Sequence, residues 1–137
     1  MNNKYKAMVL SCIDPRFQPK VYNFLKRKKL SGKYSSFTIA GASIGVTHKK
    51  FKKWHKTFEE NLSTSIRIHK INKLIVINHK DCGAAKLVNG KNKFDDINEN
   101  KIHEESFKIL KKILNKKFSK LYYEFYLMNL KGFIKRY

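Results

Sequence analysis

The residues best suited to chemistry fall in two short segments, Cys12-Ile13-Asp14-Pro15-Arg16 and His79-Lys80-Asp81-Cys82-Gly83, which between them hold both cysteines of the chain. Cysteines outside a secreted disulfide framework are inert core groups, a redox pair or metal ligands, and their neighbours decide which. Thiolate and imidazole are zinc donors, and three protein ligands with a fourth position left to water are the pattern of a catalytic zinc. Cys12, His79 and Cys82 supply two sulfurs and one nitrogen. Asp14 and Arg16 add a carboxylate and a guanidinium close behind Cys12, and Gly83 lets main chain approach closely.

Each segment needs an element that ends where the chemistry begins. Residues 5–11 are short, apolar towards their end and stopped at Cys12, which reads as a buried strand. Pro19 suits the first turn of a helix to about Leu30, with Val21, Phe24 and Leu25 at helical spacing. Ser31-Gly32 ends it, residues 34–40 read as a second strand, and Gly41-Ala42-Ser43-Ile44-Gly45 reads as a tight loop. The pattern over 48–70 is helical, with Phe51, Trp54, Phe58 and Leu62 as its core face. Residues 73–78 form the clearest buried strand, and it delivers His79.

Further on, 89–100 is polar and reads as a loop, 102–118 as an amphipathic helix and 121–130 as a late strand, with 132–137 folding back as a hairpin. Strands alternating with helices predict an α/β fold: a mainly parallel central β-sheet flanked by helices, with a C-terminal strand or hairpin. Ligands in such sheets sit at the C-terminal ends of strands, where both cysteine segments fall. The length suits one domain over 1–137.

The two segments resemble the zinc motif of the β-class carbonic anhydrase family, Cys-x-Asp-x-Arg after the first core strand and His-x-x-Cys-Gly after a later one. The resemblance runs from about residue 6 to the last, since Ala40-Gly41-Ala42 stands where the family has a glycine-containing loop and a late strand with a glycine turn follows in the same order. It implies that Cys12, His79 and Cys82 bind Zn2+. It also implies that Asp14, paired with Arg16, either orients the bound water or is a fourth ligand, and that Gly41, Ala42 and Gly83 border the substrate pocket, Gly83 through its main-chain N–H. The implied reaction is zinc-dependent hydration of carbon dioxide to bicarbonate, the metal lowering the pKa of its water until hydroxide exists near neutrality. No organic cofactor is needed.

Three departures from the family pattern stand out. Pro15 replaces the usual Ser, Thr38-Ile39 replaces the usual Arg-Asn, and the family's N-terminal helical arm is missing. The first two touch the substrate pocket. They keep two other readings in view: a zinc hydrolase of a carbon dioxide analogue, carbonyl sulfide or carbon disulfide, and a catalytically inactive, zinc-stabilised basic binding module. Strand edges and aromatic content still predict a homodimer or higher homo-oligomer.

The formal charge is +21, from 31 Lys and Arg against 10 Asp and Glu. Such a field attracts nucleic acid and other anions. The excess is nearly all Lys, spread from Lys4 to Lys135, whereas a dedicated nucleic-acid site gathers Arg and aromatics on one face. Any nucleic-acid contact is therefore expected to be non-specific. No segment is apolar for long enough to span a membrane, and with no secretory leader pattern at the start a cytoplasmic location is expected. His48, His55, His69 and His103 are expected to be solvated helix residues, and Asp95-Asp96 ordinary surface charges.

Overall fold

The protein is described by a computed structural model that covers residues 4–137. Its centre is a five-stranded sheet in the order β2-β1-β3-β4-β5. The strands are β1 (Ala7–Ser11), β2 (Tyr34–Thr38), β3 (Lys73–His79), β4 (Tyr122–Met128) and β5 (Ile134–Arg136). β2, β1, β3 and β4 run parallel, and β5 returns antiparallel to β4, pairing Met128 with Ile134. Every residue of β1 is buried, as expected of a parallel strand covered on both faces.

Side chains alternate across a strand, so the sheet faces two layers of helices. On one face Met8, Leu10, Leu74, Val76 and Phe125 pack against α3 (His55–His69) and α5 (Asp96–Lys117). On the other, Val9, Ile75, Ile77 and Met128 pack against Phe17 and against Leu25 of α1 (Gln18–Arg27). The expected α/β architecture, with its antiparallel C-terminal strand, is what the structure shows.

Several local expectations need correction. The segment from Gly41 to Gly45 is not wholly a loop. Gly41 at φ +80° and Ala42 at φ +50° turn the chain, and a short helix, α2 (Ser43–Thr47), starts at once. Periodicity over five residues cannot reveal so short a helix. The helix expected over 48–70 is interrupted, because His48 Nδ1 accepts from Lys50 N at 3.0 Å and Lys49–Trp54 winds as a 3₁₀ turn before α3 begins. Phe58 and Leu62 are core residues, but Trp54 is only half-buried and stacks on Phe51 at 4.8 Å.

The polar stretch 89–100 is loop only in part. A seven-residue helix, α4 (Gly83–Asn89), leads into it, and α5 starts at Asp96, capped by Asp95 Oδ1 accepting from Asn98 N at 2.8 Å. Asp95 is thus a structural cap, and Asp96 pairs with Lys80 at 2.6 Å. His103, expected in solvent, is fully buried.

Candidate metal centre

β1 and β3 are neighbours, with Ser11 level with Ile77, so the chain leaves both strands side by side. Cys12 is the residue just past β1, and His79 is the last of β3. Cys82 immediately precedes α4. The ligand atoms of Cys12, His79 and Cys82 all lie within 4.8 Å of one another, and all three residues are buried.

The His79 ring is oriented for use. Its Nδ1 lies 2.7 Å from the carbonyl oxygen of Lys80, which can only accept, so Nδ1 carries the proton and Nε2 presents a lone pair. Phe17 stacks on the ring at 4.0 Å. Among the described residues, Nε2 of His79 is the one fully buried side-chain nitrogen or oxygen with no hydrogen-bond partner. A buried orphan of this kind is costly unless something fills it. With two sulfurs beside it, the unfilled partner fits a metal ion with a preference for sulfur and imidazole.

The sulfurs are prepared as well. Gly41 N–H donates to Cys12 Sγ at 3.3 Å. The Cys12 thiol is pulled below the ordinary thiol range, chiefly by its hydrogen bond with Cys82, against the opposing effect of burial and with help from His79 and the Gly41 N–H. The same pairing, together with burial, raises the Cys82 thiol. Gly41 thereby serves the Cys12 sulfur directly. Ala42 is fully buried in the core, and Gly83 opens α4 with free space beside its Cα.

Asp14 lies at the edge of the cluster, its Oδ2 3.8 Å from His79 Nε2. Arg16 holds it firmly: the Arg16 main-chain N–H donates to Oδ1 at 2.9 Å and Nη2 donates to Oδ2 at 2.8 Å. The main-chain contact is also a cap, since Asp14 starts a 3₁₀ turn, Pro15–Phe17, whose first residue is Pro15. Proline suits that position because no main-chain donor is required there. The hydrogen bonds from the Arg16 side chain hold Asp14 down to about 2, so it is ionised at any ordinary pH. Arg16 also reaches the other segment, donating to Asp81 Oδ2 at 2.9 Å and to the Asp81 carbonyl at 3.0 Å.

A second tier around the site is absent from the sequence reading. Glu99 on α5 accepts from Asp81 N at 3.0 Å and from Cys82 N at 3.1 Å. His103 Nε2 lies 3.0 Å from Glu99 Oε2, and His103 Nδ1 lies 2.9 Å from Asn78 Nδ2. Burial alone would raise Glu99, but His103 and the two main-chain donors hold it below the ordinary carboxylate range. The available signal was the spacing of Glu99 and His103, four apart on one helical face.

The comparisons with known proteins agree with this geometry. The family model described as "Putative carbonic anhydrase" matches residues 1–122. An uncharacterized protein of Rickettsia bellii (strain RML369-C) is 27% identical over 135 residues, covering 98% of this chain and 82% of the relative. Among solved structures, the β-carbonic anhydrase CafA of Aspergillus fumigatus superposes with a TM-score of 0.65 at 12% identity, over 98% of this chain and 76% of that one. A tetrameric β-carbonic anhydrase of Sordaria macrospora superposes at 0.59 and 10% identity, over 98% and 81%. The chain belongs to the family that this model describes as putative carbonic anhydrase, and it has the fold of the β-carbonic anhydrases.

Proposed function

We propose that the protein binds one zinc ion through Cys12 Sγ, His79 Nε2 and Cys82 Sγ and hydrates carbon dioxide to bicarbonate. The observation that carries the reading is the unpartnered Nε2 of His79, turned towards two sulfurs within 4.8 Å. When bound, zinc supplies acidity to a coordinated water and so a nucleophile for carbon dioxide. The residues around it do the rest. Gly41 N–H and the Lys80 carbonyl fix the Cys12 sulfur and the His79 ring. Both carboxylate oxygens of Asp14 are occupied by Arg16, which supports a fourth coordination position left to solvent, with Asp14 beside it as acceptor and orienter.

Cys12 and Cys82 as thiolates would neutralise the charge of a bound Zn2+ and make it a weaker Lewis acid than an all-imidazole site would, so activity should favour alkaline conditions. A homodimer or larger assembly is part of the proposal. β2 is an edge strand, and a related β-carbonic anhydrase is tetrameric. The test is zinc analysis joined to a carbon dioxide hydration assay on one sample, with carbonyl sulfide as a second substrate. One zinc per chain and hydration that rises with pH are expected. Protein without stoichiometric zinc overturns the site, and zinc-loaded protein active only on carbonyl sulfide overturns the substrate.

A further inference from the structure

Glu99 is a buried carboxylate that the proposed chemistry does not use, and it is only 4% exposed. It would be costly there unless its lone pairs were filled. Two of its three hydrogen-bond partners are main-chain N–H groups of the metal-site turn, Asp81 and Cys82, and Lys80 Nζ stands 3.7 Å from Oε1. Asp81 sits at φ +57°, a conformation that a residue with a Cβ keeps only where its surroundings hold it. Its peptide groups are held from both sides, since Glu99 takes its N–H and Arg16 Nη2 donates to its carbonyl.

The third partner is fixed in turn. Ser43 N–H donates to Asn78 Oδ1 at 3.1 Å, so the Asn78 amide nitrogen faces His103. That nitrogen can only donate, which makes His103 Nδ1 the acceptor and leaves the ring proton on Nε2, pointing at Glu99. Asn78 immediately precedes His79 in β3. One network therefore runs from the strand that carries His79, through His103 and Glu99, to the main chain that carries Cys82.

We propose that Glu99, backed by His103 and Asn78, is a positioning residue for the metal centre: it fixes the turn at Asp81 and so sets where Cys82 Sγ stands relative to His79 Nε2. The inference rests on the reading of Cys12, His79 and Cys82 as metal ligands. A residue that merely stabilised the fold would change melting without changing the ligand field.

The test compares Glu99→Gln, which cannot accept from both N–H groups and His103 together, with Glu105→Gln, which removes the same charge from an exposed position on the same helix. Amide exchange at Asp81 and Cys82 is followed in zinc-free protein. Zinc release to a chelator and the absorption spectrum of the Co2+-substituted protein are followed in loaded protein. In Glu99→Gln the two amides lose protection about tenfold or more, zinc leaves roughly 10–100-fold faster and the cobalt bands shift. Glu105→Gln behaves as wild type. Unchanged amide protection or an unchanged cobalt spectrum in Glu99→Gln overturns the proposal, as does an equal effect of Glu105→Gln. If Glu99→Gln does not fold, His103→Leu withdraws the donor behind the carboxylate and is read by the same criteria. A wild-type chain that binds neither zinc nor cobalt refutes the ligand reading instead, and amide exchange then still decides whether Glu99 holds the turn.

Discussion

Replacing Gly41 by alanine tests the loop that holds the Cys12 sulfur. Gly41 lies at φ +80°, and a Cβ there would stand 2.7 Å from Ala84 Cβ and 3.1 Å from Ile44 Cβ. The left-handed conformation costs an L-residue roughly 1–2 kcal/mol. Forcing a methyl into a packed contact costs about 1–3 kcal/mol more, part of which relaxes away. The sum is at most about 2–5 kcal/mol, which for a chain of this size lowers the melting temperature by roughly 10 °C. The control is Gly83→Ala, where nothing lies within 4 Å of the added Cβ and the backbone has ordinary φ. At that position, the first of α4, alanine should be neutral or slightly stabilising. Urea unfolding of the three proteins without metal measures both effects. A Gly41→Ala variant within about 0.5 kcal/mol of wild type would show that the loop yields freely, and the argument for a rigid seat under Cys12 would fail.

Arg16→Ala should keep its zinc but lose carbon dioxide hydration, by about tenfold or more near neutral pH and less at high pH, because the freed Asp14 carboxylate then competes for the fourth position. A wild-type pH profile with zinc intact would remove the pair from the mechanism. Glu124, 9% exposed, has its pKa lowered from 4.5 to about 2 because Lys73, Tyr126 and Lys28 outweigh the effect of burial. A folded pKa below the unfolded one adds stability that is complete above the unfolded value, so on the order of 2–3 kcal/mol should be lost as pH falls from 4.5 to about 2. Glu124→Gln should flatten that part of the acid unfolding curve, and an unchanged curve would contradict the assignment. Binding to nucleic acid, measured by titration at rising salt, should be sequence-independent and fall steeply, and tight selective binding at physiological salt would favour the basic-module reading.

The first tier of the site was legible because its residues are reactive types standing at strand ends. Cys12 and His79 come directly after apolar runs too short for helices, and such runs place the next residues at the edge of a parallel sheet. Glu99 and His103 were hidden for the opposite reason. They lie in a polar, lysine-rich stretch where charge suggests solvent, and only tertiary contact with the Cys82 turn gives them partners. The start of α5 was missed because Asp95 reads equally as a surface charge and as a cap. α2 is hidden in the sequence because five residues carry no periodic signal and because the turn before it uses Ala42 at positive φ, a conformation expected of glycine.

The placement of Cys12 after β1 and Cys82 after β3 also bears on the unfolded chain. An ion bonded to both sulfurs closes a loop of roughly 70 residues, more than half of the protein. By the chain-entropy relation used for disulfides, a cross-link of that span removes about 4 kcal/mol worth of disorder from the unfolded state. The ion would then act as a reversible staple as well as a reagent. Metal depletion would be felt as a loss of stability, and a lysine-rich chain that repels itself would be the more sensitive to that loss in dilute salt.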